Sequence, residues 1–355
     1  MNAKNCDFTK LINWSNKNFS HLPWRENRSL YSTWISEVML QQTTVHTVIS
    51  RLSPFLKKFP SLEFLSKATD EELLIAWKGL GYYQRAKNLR KAALKITQEY
   101  NGNFPETLDG LLTIPGIGPY TSSAIFSIGM NKKALAIDAN LERVLSRYYG
   151  IKVTKGPKLK EELKNLFVDK AILQNKFMGG WRELNESLMD LGREVCQSKR
   201  AHCEICPLHK SCVAKKIGQQ LTFPVPDARE KGKKKIFDLD LLRVICFKGN
   251  KILCYQKPKG TWLAGQYELP TFQCFSEDKK LQQYEKTMLK AYSKLPSVKT
   301  VITKYKIKNY IKETTYDSFK KEFDIRNFLL INYDDALRKL STASLKVLEK
   351  KGEER

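Results

Sequence analysis

Residues 114–121, IPGIGPYT, decide how the first part of the chain is interpreted. They lie between two segments with helical spacing, so Gly116 and Gly118 occupy the turn between two helices. Two glycines let that turn approach another backbone closely, and the second helix begins with free N–H groups. Such groups bind a nucleic acid phosphate without reading its sequence. The segment predicts a helix-hairpin-helix that contacts DNA, and an ordinary inter-helix turn is the alternative.

The overall charge points to the same kind of partner. The 355 residues include 62 Lys and Arg against 37 Asp and Glu, which gives a formal net charge of +25. A protein this basic usually binds a polyanion, either nucleic acid or an anionic membrane surface. The sequence has no apolar run of about 18 residues and no secretion signal at its start, so we expect no membrane span and a cytoplasmic location.

The first two thirds of the chain is predicted to be helical. One stripe of apolar residues with helical spacing runs through 35–52 and is broken only by Gln42. A second helix carries Leu73, Leu74, Trp77 and Leu80 and ends at the glycines 79 and 81, and a third follows Gly118. Further helices are predicted at 139–149, 159–169 and 180–196.

A change of composition marks a second domain. Residues 219–235, QQLTFPVPDAREKGKKK, have no apolar periodicity and read as a linker. Residues 240–258, DLLRVICFKGNKILCYQKP, predict a hairpin with a Gly-Asn turn. Strand-like TYDSF and FLLINY segments and a helix at 335–350 make this domain mixed α/β.

Four of the eight cysteines form a tight cluster. Cys196, Cys203, Cys206 and Cys212 have the spacing C-x6-C-x2-C-x5-C, which suits the four thiolates of one iron–sulfur cubane. Zinc is the rival ligand, although its four-cysteine sites more often use two separated short pairs. Unligated thiols are the remaining alternative. The four scattered cysteines are expected to be free, and His202 and His209 to be solvated polar residues.

Two carboxylates could carry chemistry or could only support helices. Asp138 follows the hairpin between apolar neighbours, where it could cap a helix or act in catalysis. Glu37 lies near the start of its helix, where the dipole favours a carboxylate. The local sequence leaves both interpretations open.

Several blocks together resemble the adenine DNA glycosylase family MutY, of the helix-hairpin-helix iron–sulfur superfamily that includes endonuclease III. These blocks are LPW (22–24), SEVMLQQT (36–43), GLGYYQRAKNL (79–89), IPGIGPYT (114–121), DANLERVLSR (138–147) and the four-cysteine loop. The resemblance implies a multi-domain protein: a mainly α glycosylase domain with a 4Fe-4S cluster loop at 1–218, a linker at 219–235 and an α/β Nudix-like domain at 236–355.

The resemblance also implies a mechanism. An enzyme that cuts the base–sugar bond must flip the base out of the duplex. Glu37 matches the family's acid, which protonates adenine at N7, and Asp138 matches the carboxylate that stabilises the sugar cation. Asn140 matches the Asn that hydrogen-bonds in this site. Tyr120 stands where endonuclease III-like enzymes have a nucleophilic Lys, which predicts a monofunctional glycosylase with water as the final nucleophile.

Substrate contacts follow from the same blocks. Gln42 matches the wedge that fills the gap left by the flipped base, and Tyr82 matches the aromatic that stacks into the duplex. Trp24, Arg25 and Glu186 match positions around the adenine pocket. A polar helix position for Gln42, plain core for Trp24 and plain surface for Glu186 are the alternatives.

The second domain departs from the family at the loop that detects 8-oxoguanine. Residues 259–270, KGTWLAGQYELP, resemble the Nudix-like module, without a hydrolase box. Its Phe-Ser-His loop should fall near 304–309, where Tyr305 can replace Phe but Lys306 and Ile307 replace Ser and His. Either 8-oxoguanine is read by other groups, such as Asn309, Thr303 or a backbone carbonyl, or the preference for the opposite base is relaxed.

Three classes of function therefore compete. The leading one is a monofunctional glycosylase that excises adenine mispaired with 8-oxoguanine or guanine in duplex DNA. An endonuclease III-like glycosylase and lyase is the enzymatic alternative, and a DNA-binding iron–sulfur scaffold is the non-enzymatic one. We expect a monomer associated with the nucleoid and no membrane partner.

Overall fold

The computed structural model describes residues 8–166, 179–227, 235–287, 291–324 and 327–353. Within these residues no helix is long and apolar enough to cross a membrane. The chain divides into two compact units, one of residues 1–67 and 87–232 and the other of residues 68–86 and 233–355. The proposed linker at 219–235 leads into the second unit.

The N-terminal part of the chain is helical. Its helices are α1 (Thr9–Phe19), α2 (Pro23–Glu26), α3 (Leu30–Leu40), α4 (Val45–Lys58), α5 (Leu62–Lys67), α6 (Asp70–Ala76), α7 (Gln84–Glu99), α8 (Leu108–Leu112), α9 (Pro119–Ala124), α10 (Ala139–Tyr149), α11 (Pro157–Lys164), α12 (Trp181–Glu194) and α13 (Val213–Lys216). Apolar faces of α1, α10, α11 and α12 pack into one core. A wider π-helical turn, Ile125–Gly129, continues α9.

The predicted helices at 139–149 and 180–196 are confirmed to within two residues. Helix α11 ends at Lys164, and residues 167–169 of the predicted helix 159–169 lie outside the described residues. The single helical stripe predicted through 35–52 is wrong. The chain leaves the helix after Leu40 and re-enters at Val45, with Thr44 as the N-cap of α4. Gln42 lies in this break, with φ of 55°.

The glycines of the hairpin play different roles. Gly116 has φ of +78°, and a Cβ there would lie 2.6 Å from Cβ of Asn88 on α7. Both the left-handed backbone and this close approach require glycine. Gly118 is the N-cap of α9, and a Cβ added to it would meet nothing within 4 Å. Open space in front of this helix start leaves room for a phosphate.

The second unit is built on a seven-stranded mixed sheet. Its strands are β1 (Phe237–Lys248), β2 (Lys251–Gln256), β3 (Tyr267–Glu268), β4 (Thr271–Ser276), β5 (Ser297–Ile302), β6 (Tyr305–Thr315) and β7 (Leu329–Asn332). The central order is β3-β2-β1-β6-β5, with β4 paired to β1 and β7 paired to β2. Strands β1 and β6 are parallel, and the other pairs are antiparallel. The predicted hairpin of residues 240–258 is confirmed as β1 and β2.

Two expectations for the second unit are wrong. The TYDSF segment is not a strand: only Thr315 ends β6, and α14 (Tyr316–Glu322) follows with Thr315 as its cap. The single helix predicted at 335–350 is two helices, α15 (Tyr333–Lys339) and α16 (Thr342–Glu353). The FLLINY strand is confirmed as β7, and Tyr333 then begins α15.

A buried arginine organises the core of the sheet. Arg243 of β1 is 0% exposed and donates to Asn309 Oδ1 at 2.7 Å and to Ser344 Oγ at 3.0 Å. Its guanidinium also lies 3.3 Å from Glu268 Oε1, and Glu268 is equally buried. A buried charge needs such a full set of partners. Strands β1, β3 and β6 and helix α16 therefore meet at one ionic group.

Candidate active site

Glu37 is the only charged residue of α3. Reciprocal hydrogen bonds between Ser29 and Ser32 begin this helix, and every residue from Ser32 to Met39 is buried. Such a helix belongs to the core, because it has no polar face. Glu37 is 5% exposed. An ionised carboxylate at that depth costs free energy, so such a group is usually neutral, paired or hydrogen-bonded.

Tyr120 of α9 is the direct partner of Glu37. Its hydroxyl donates to Glu37 Oε2 at 2.7 Å. Burial raises the pKa of Glu37 to about 7, the Tyr120 hydrogen bond opposes this, and the charges of Glu186 and Asp138 add to it. Burial and the carboxylates of Glu37 and Asp138 raise the pKa of Tyr120 well above 10. Glu37 can therefore hold a proton near neutral pH and also release it.

Asp138 caps α10 with its side chain. Its Oδ1 accepts from the backbone N–H groups of Asn140 and Leu141, each at 2.8 Å, and its Oδ2 accepts from Asn140 Nδ2 at 2.8 Å. Burial raises the pKa of Asp138, while these three hydrogen bonds oppose the rise. The two interpretations left open by the sequence are thus compatible, because a capping carboxylate is also fixed in place.

Arg143 connects this cap to the start of the cysteine loop. Its Nη2 donates to Asn140 Oδ1 at 2.7 Å and to Gly192 O at 2.8 Å, and its Nε donates to Cys196 O at 2.7 Å. The sequence reasoning missed this residue, although its place three residues after Asn140 on the same helix was the available signal. The amide orientation of Asn140 is consequently fixed from both sides.

Arg25 and Glu186 meet in a buried ionic cluster. Arg25 Nη2 lies 2.9 Å from Asp190 Oδ2, and its Nε lies 3.5 Å from Glu186 Oε1. Arg28 binds Glu186 through two parallel hydrogen bonds of 2.7 and 2.8 Å. Arg25 Nε is buried and makes no hydrogen bond within the described residues. It is a donor available to a bound ligand.

Sequence reasoning missed Arg28 and Asp190. The signal was the i, i+4 spacing of Glu186 and Asp190, which places two carboxylates on one face of α12. Glu186 is 7% exposed, so the plain-surface alternative for it is wrong. Trp24 is also 7% exposed, which fits a core position as well as a pocket wall.

The two residues expected to enter the duplex are exposed. Gln42 is exposed in the turn between α3 and α4, whereas its neighbour Gln41 is half-buried and donates to Thr121 Oγ1 at 3.0 Å. Tyr82 belongs to the second compact unit and is 52% exposed, with φ of 44°. Both have left-handed backbone, a conformation that non-glycine residues adopt mostly in tight turns or at functional sites.

The four clustered cysteines line one cavity that is partly open to solvent. Arg147 donates to Cys196 Sγ at 3.3 Å, and Cys212 Sγ donates to Arg147 O at 3.4 Å. Burial raises the pKa of the Cys206 thiol to about 12. His202 and His209 also line the cavity. His209 Nδ1 lies 2.7 Å from Cys206 O, so a solvated position is the wrong description of His209, whereas His202 is 29% exposed beside Glu204.

The donor set of this cavity fits an iron–sulfur cluster better than it fits free thiols. Within the described ranges, no three His, Cys, Asp or Glu side chains are grouped to hold a single metal ion. The four cysteines nevertheless face one space, and Arg147 supplies positive charge beside them. Four thiolates around a shared volume suit a cluster, whose charge also offsets the cost of ionising buried thiols.

Comparison with known proteins finds similarity to DNA glycosylases. Residues 35–168 match the model of the HhH-GPD superfamily base excision DNA repair proteins. The adenine DNA glycosylase of Buchnera aphidicola (subspecies Acyrthosiphon pisum, strain APS) is 37% identical over 232 residues, which cover 64% of this chain and 65% of the relative. The human adenine DNA glycosylase is 35% identical over 223 residues, 59% of this chain and 39% of the relative.

The helical part of the chain is also similar to solved structures. The thermostable thymine-DNA glycosylase superposes with a TM-score of 0.51 and 28% identity, covering 59% of this chain and 94% of that one. The alignments with the two adenine DNA glycosylases span less than two thirds of those relatives' own lengths.

Proposed function

We propose that this chain, which carries an HhH-GPD domain and is homologous to curated adenine DNA glycosylases, is itself a monofunctional adenine DNA glycosylase of base excision repair. The observation that carries the proposal is Glu37, a buried carboxyl with pKa of about 7 bonded to Tyr120. Burial and the nearby charge of Asp138 keep Glu37 protonated, whereas hydrogen bonds to Asp138 favour its ionised form. Cleavage of a glycosidic bond requires such a pair of one acid and one carboxylate.

In the proposed reaction Glu37 donates its proton to N7 of the flipped adenine. The C1′–N9 bond then breaks, and its electron pair leaves with the base. Positive charge develops at C1′ and is stabilised by the ionised carboxylate of Asp138. The two backbone N–H groups and the amide that bind Asp138 favour its charged form and hold it in place.

Tyr120 supports the monofunctional assignment. A phenol cannot form the Schiff base that a lysine forms at this position in endonuclease III-like enzymes. Its hydroxyl is committed to Glu37, and burial keeps it protonated. Water is therefore the nucleophile that ends the reaction at C1′, and its proton returns to a carboxylate of the site. The same carboxylates argue against a scaffold without activity.

The neighbouring residues are proposed to hold the substrate. Arg25 and Glu186 would bind the edge of adenine beside Trp24, because Arg25 Nε makes no hydrogen bond among the described residues and lies 3.5 Å from Glu186 Oε1. The hairpin of Gly116 and Gly118 would bind a phosphate, and Gln42 and Tyr82 would enter the duplex.

The cysteine cavity is proposed to hold a 4Fe-4S cluster through Cys196, Cys203, Cys206 and Cys212. When bound, the cluster supplies a covalent cross-link of the loop that follows α12. Arg147 supports it with hydrogen bonds to Cys196 Sγ and to the carbonyls of Gln197 and Ser198. The loop in turn holds Arg143 and, through it, Asn140.

Metal analysis tests this assignment. Protein purified without oxygen is expected to contain about four iron and four sulfide per chain. Cys206→Ser should lose most of the iron and melt at a lower temperature, because the loop then lacks its cross-link. Cys254→Ser, at a buried cysteine of the sheet unit, is the control and should keep its iron. One zinc and no iron would contradict the cluster.

The rate of adenine excision is expected to fall at alkaline pH. Glu37 acts as an acid, so the reactive enzyme is the form protonated at this residue. With a pKa of about 7, the single-turnover rate should be level at acid pH and should fall about tenfold per pH unit well above neutrality. A series of rapid-quench reactions from pH 5.5 to 9 would measure this. A rate that rises through pH 7 would contradict the role of Glu37 as the acid.

The sheet unit is proposed to be the Nudix-like module that reads the base opposite adenine. Asn309 is no longer a candidate for that reading: it is 0% exposed, accepts from Arg243 and donates to Val298 O and Thr300 Oγ1. The Tyr305 hydroxyl donates to Asp278 Oδ2 at 2.6 Å. Thr303, Lys304 and Lys306 remain exposed. These exposed residues, two of them lysines, favour attraction to phosphate over selection of a base. An adenine glycosylase with relaxed preference for the opposite base is therefore the second candidate function.

Single-turnover excision on duplexes with adenine opposite 8-oxoguanine, guanine, cytosine and thymine tests both candidates. We expect adenine release opposite 8-oxoguanine and guanine, with rates that differ by less than about tenfold. Borohydride should trap no covalent complex. Failure to release adenine from any duplex would refute the proposed function, and a preference for 8-oxoguanine above about a hundredfold would refute relaxed reading.

A further inference from the structure

The segment that carries Tyr82 is attached to the sheet unit by a lysine. Residues 68–86 belong to the same compact unit as the sheet. Lys78 Nζ donates to the carbonyls of Leu337 at 3.0 Å and Arg338 at 3.4 Å. These carbonyls lie in the last turn of α15, where helix ends leave acceptors and the dipole favours a cation. Lys78 therefore caps α15 from outside.

A second contact supports the first. Lys339 Nζ lies 2.6 Å from Glu71 Oε1, and this hydrogen bond is the main cause of the raised pKa of Lys339. Gly265, in the loop before β3, also packs close to α6, because a Cβ built on it would lie 3.2 Å from Leu74 Cδ1. Helix α6 is thus held along its length by α15 and by the loop before β3.

The loop after α6 is cross-linked by hydrogen bonds between its own residues. Gly79, Gly81 and Tyr82 have φ of 89°, 67° and 44°. Trp77 Nε1 donates to Gly81 O at 3.0 Å, and Arg85 Nη2 donates to Leu80 O at 2.9 Å. A positive φ at Tyr82 costs free energy, which the surrounding contacts must offset. Because these hydrogen bonds join residues on both sides of the loop, an anchor at Lys78 can fix the position of the loop as a whole.

We propose that Lys78 is a positioning residue, through which α15 of the sheet unit holds the loop 79–83 so that Tyr82 is ready to stack into DNA. This inference rests on the proposed function, because the stacking role of Tyr82 comes from it. Lys78 makes no direct contribution to chemistry. It acts through the loop, so its effect depends on the side chain of Tyr82.

A double-mutant cycle tests this dependence. Lys78→Met should weaken binding to a duplex containing adenine opposite guanine about fivefold when Tyr82 is present, and less than about twofold in a Tyr82→Ala background. Lys78→Arg should restore most of the affinity. Lys351→Met is the matched control, because Lys351 is also half-buried and its ion pair, with Glu313 at 3.2 Å, joins α16 to β6 rather than to residues 68–86. A similar loss in both backgrounds would mean that Lys78 only attracts phosphate, and the inference would fail.

Hydrogen exchange of the DNA-free protein gives a readout that needs no activity. Lys78→Met should speed exchange of amides 79–86 at least about threefold, whereas Lys351→Met should leave them unchanged. Unchanged exchange in Lys78→Met would overturn the positioning role. If the wild-type protein released no adenine, the proposed function would fail, and this measurement would still decide whether Lys78 holds the loop.

Discussion

Replacing Glu37 by glutamine is expected to lower the single-turnover rate of adenine excision by about a thousandfold. Glutamine keeps the shape of the side chain and an oxygen that can accept from Tyr120, so the hydrogen bond at Oε2 has a substitute. What is lost is the proton. The remaining rate should also lose its fall at alkaline pH, because the titrating group is gone.

Glu142→Gln is the matched control for this prediction. Glu142 is another buried carboxyl of the helical unit, 3% exposed, with its pKa raised by burial, but it pairs with Lys160 rather than with Tyr120. Its replacement should leave the rate within about threefold of the wild type. Binding of the mispaired duplex by Glu37→Gln should remain, as measured by fluorescence anisotropy. If Glu37→Gln excised adenine at a rate close to that of the wild type, Glu37 would not be the acid of the mechanism.

Replacing Asp138 by asparagine is expected to lower the excision rate about 100- to 1,000-fold, through loss of the charge that stabilises the sugar cation. Asparagine is itself a good N-cap, so α10 should still begin at Ala139 and the protein should stay folded. The charge of Asp138 also raises the pKa of Glu37. Its removal should therefore shift the alkaline fall in rate to lower pH.

Measurements of rate and melting temperature on the same samples separate the two roles of Asp138. If Asp138 were only a cap, Asp138→Asn would keep both the rate and the melting temperature. A large loss of rate at an unchanged melting temperature supports the electrostatic role. Asp138→Ser, which can also cap but has no charge, should behave like Asp138→Asn.

Local signals allowed the best of the sequence predictions. Helix α10 was predicted with its observed bounds, because Asp138 and Gly150 mark its two ends within the sequence itself. The break at residues 41–44 was missed because Val45, Ile49 and Leu52 continue the helical spacing of α3 by coincidence. The cap signal at Thr44 was present but weaker than the apolar pattern.

Contacts between residues far apart in the sequence could not be predicted for the site. Glu37 and Asp138 could be identified as candidates from motifs, but the neutralising environment of Glu37 depends on burial and on Tyr120, 83 residues away. Arg28 and Glu186 are 158 residues apart, and no periodicity relates them. The aromatic residues of TYDSF suggested a strand, but the Thr315 side chain accepts a hydrogen bond from the backbone N–H of Ser318 and begins α14. This N-cap outweighs the β propensity of the aromatic residues.

The ionic group at Arg243 has a consequence for how the gene can vary. Ser344 lies 101 residues after Arg243 in the sequence, yet its hydroxyl accepts from this guanidinium in the first strand of the sheet. A premature stop codon before α16 would remove that helix from the sheet and leave a core cation without one of its acceptors, which costs about 1 to 3 kcal/mol for that hydrogen bond alone. Alleles truncated before α16 should therefore behave as loss of the whole second unit.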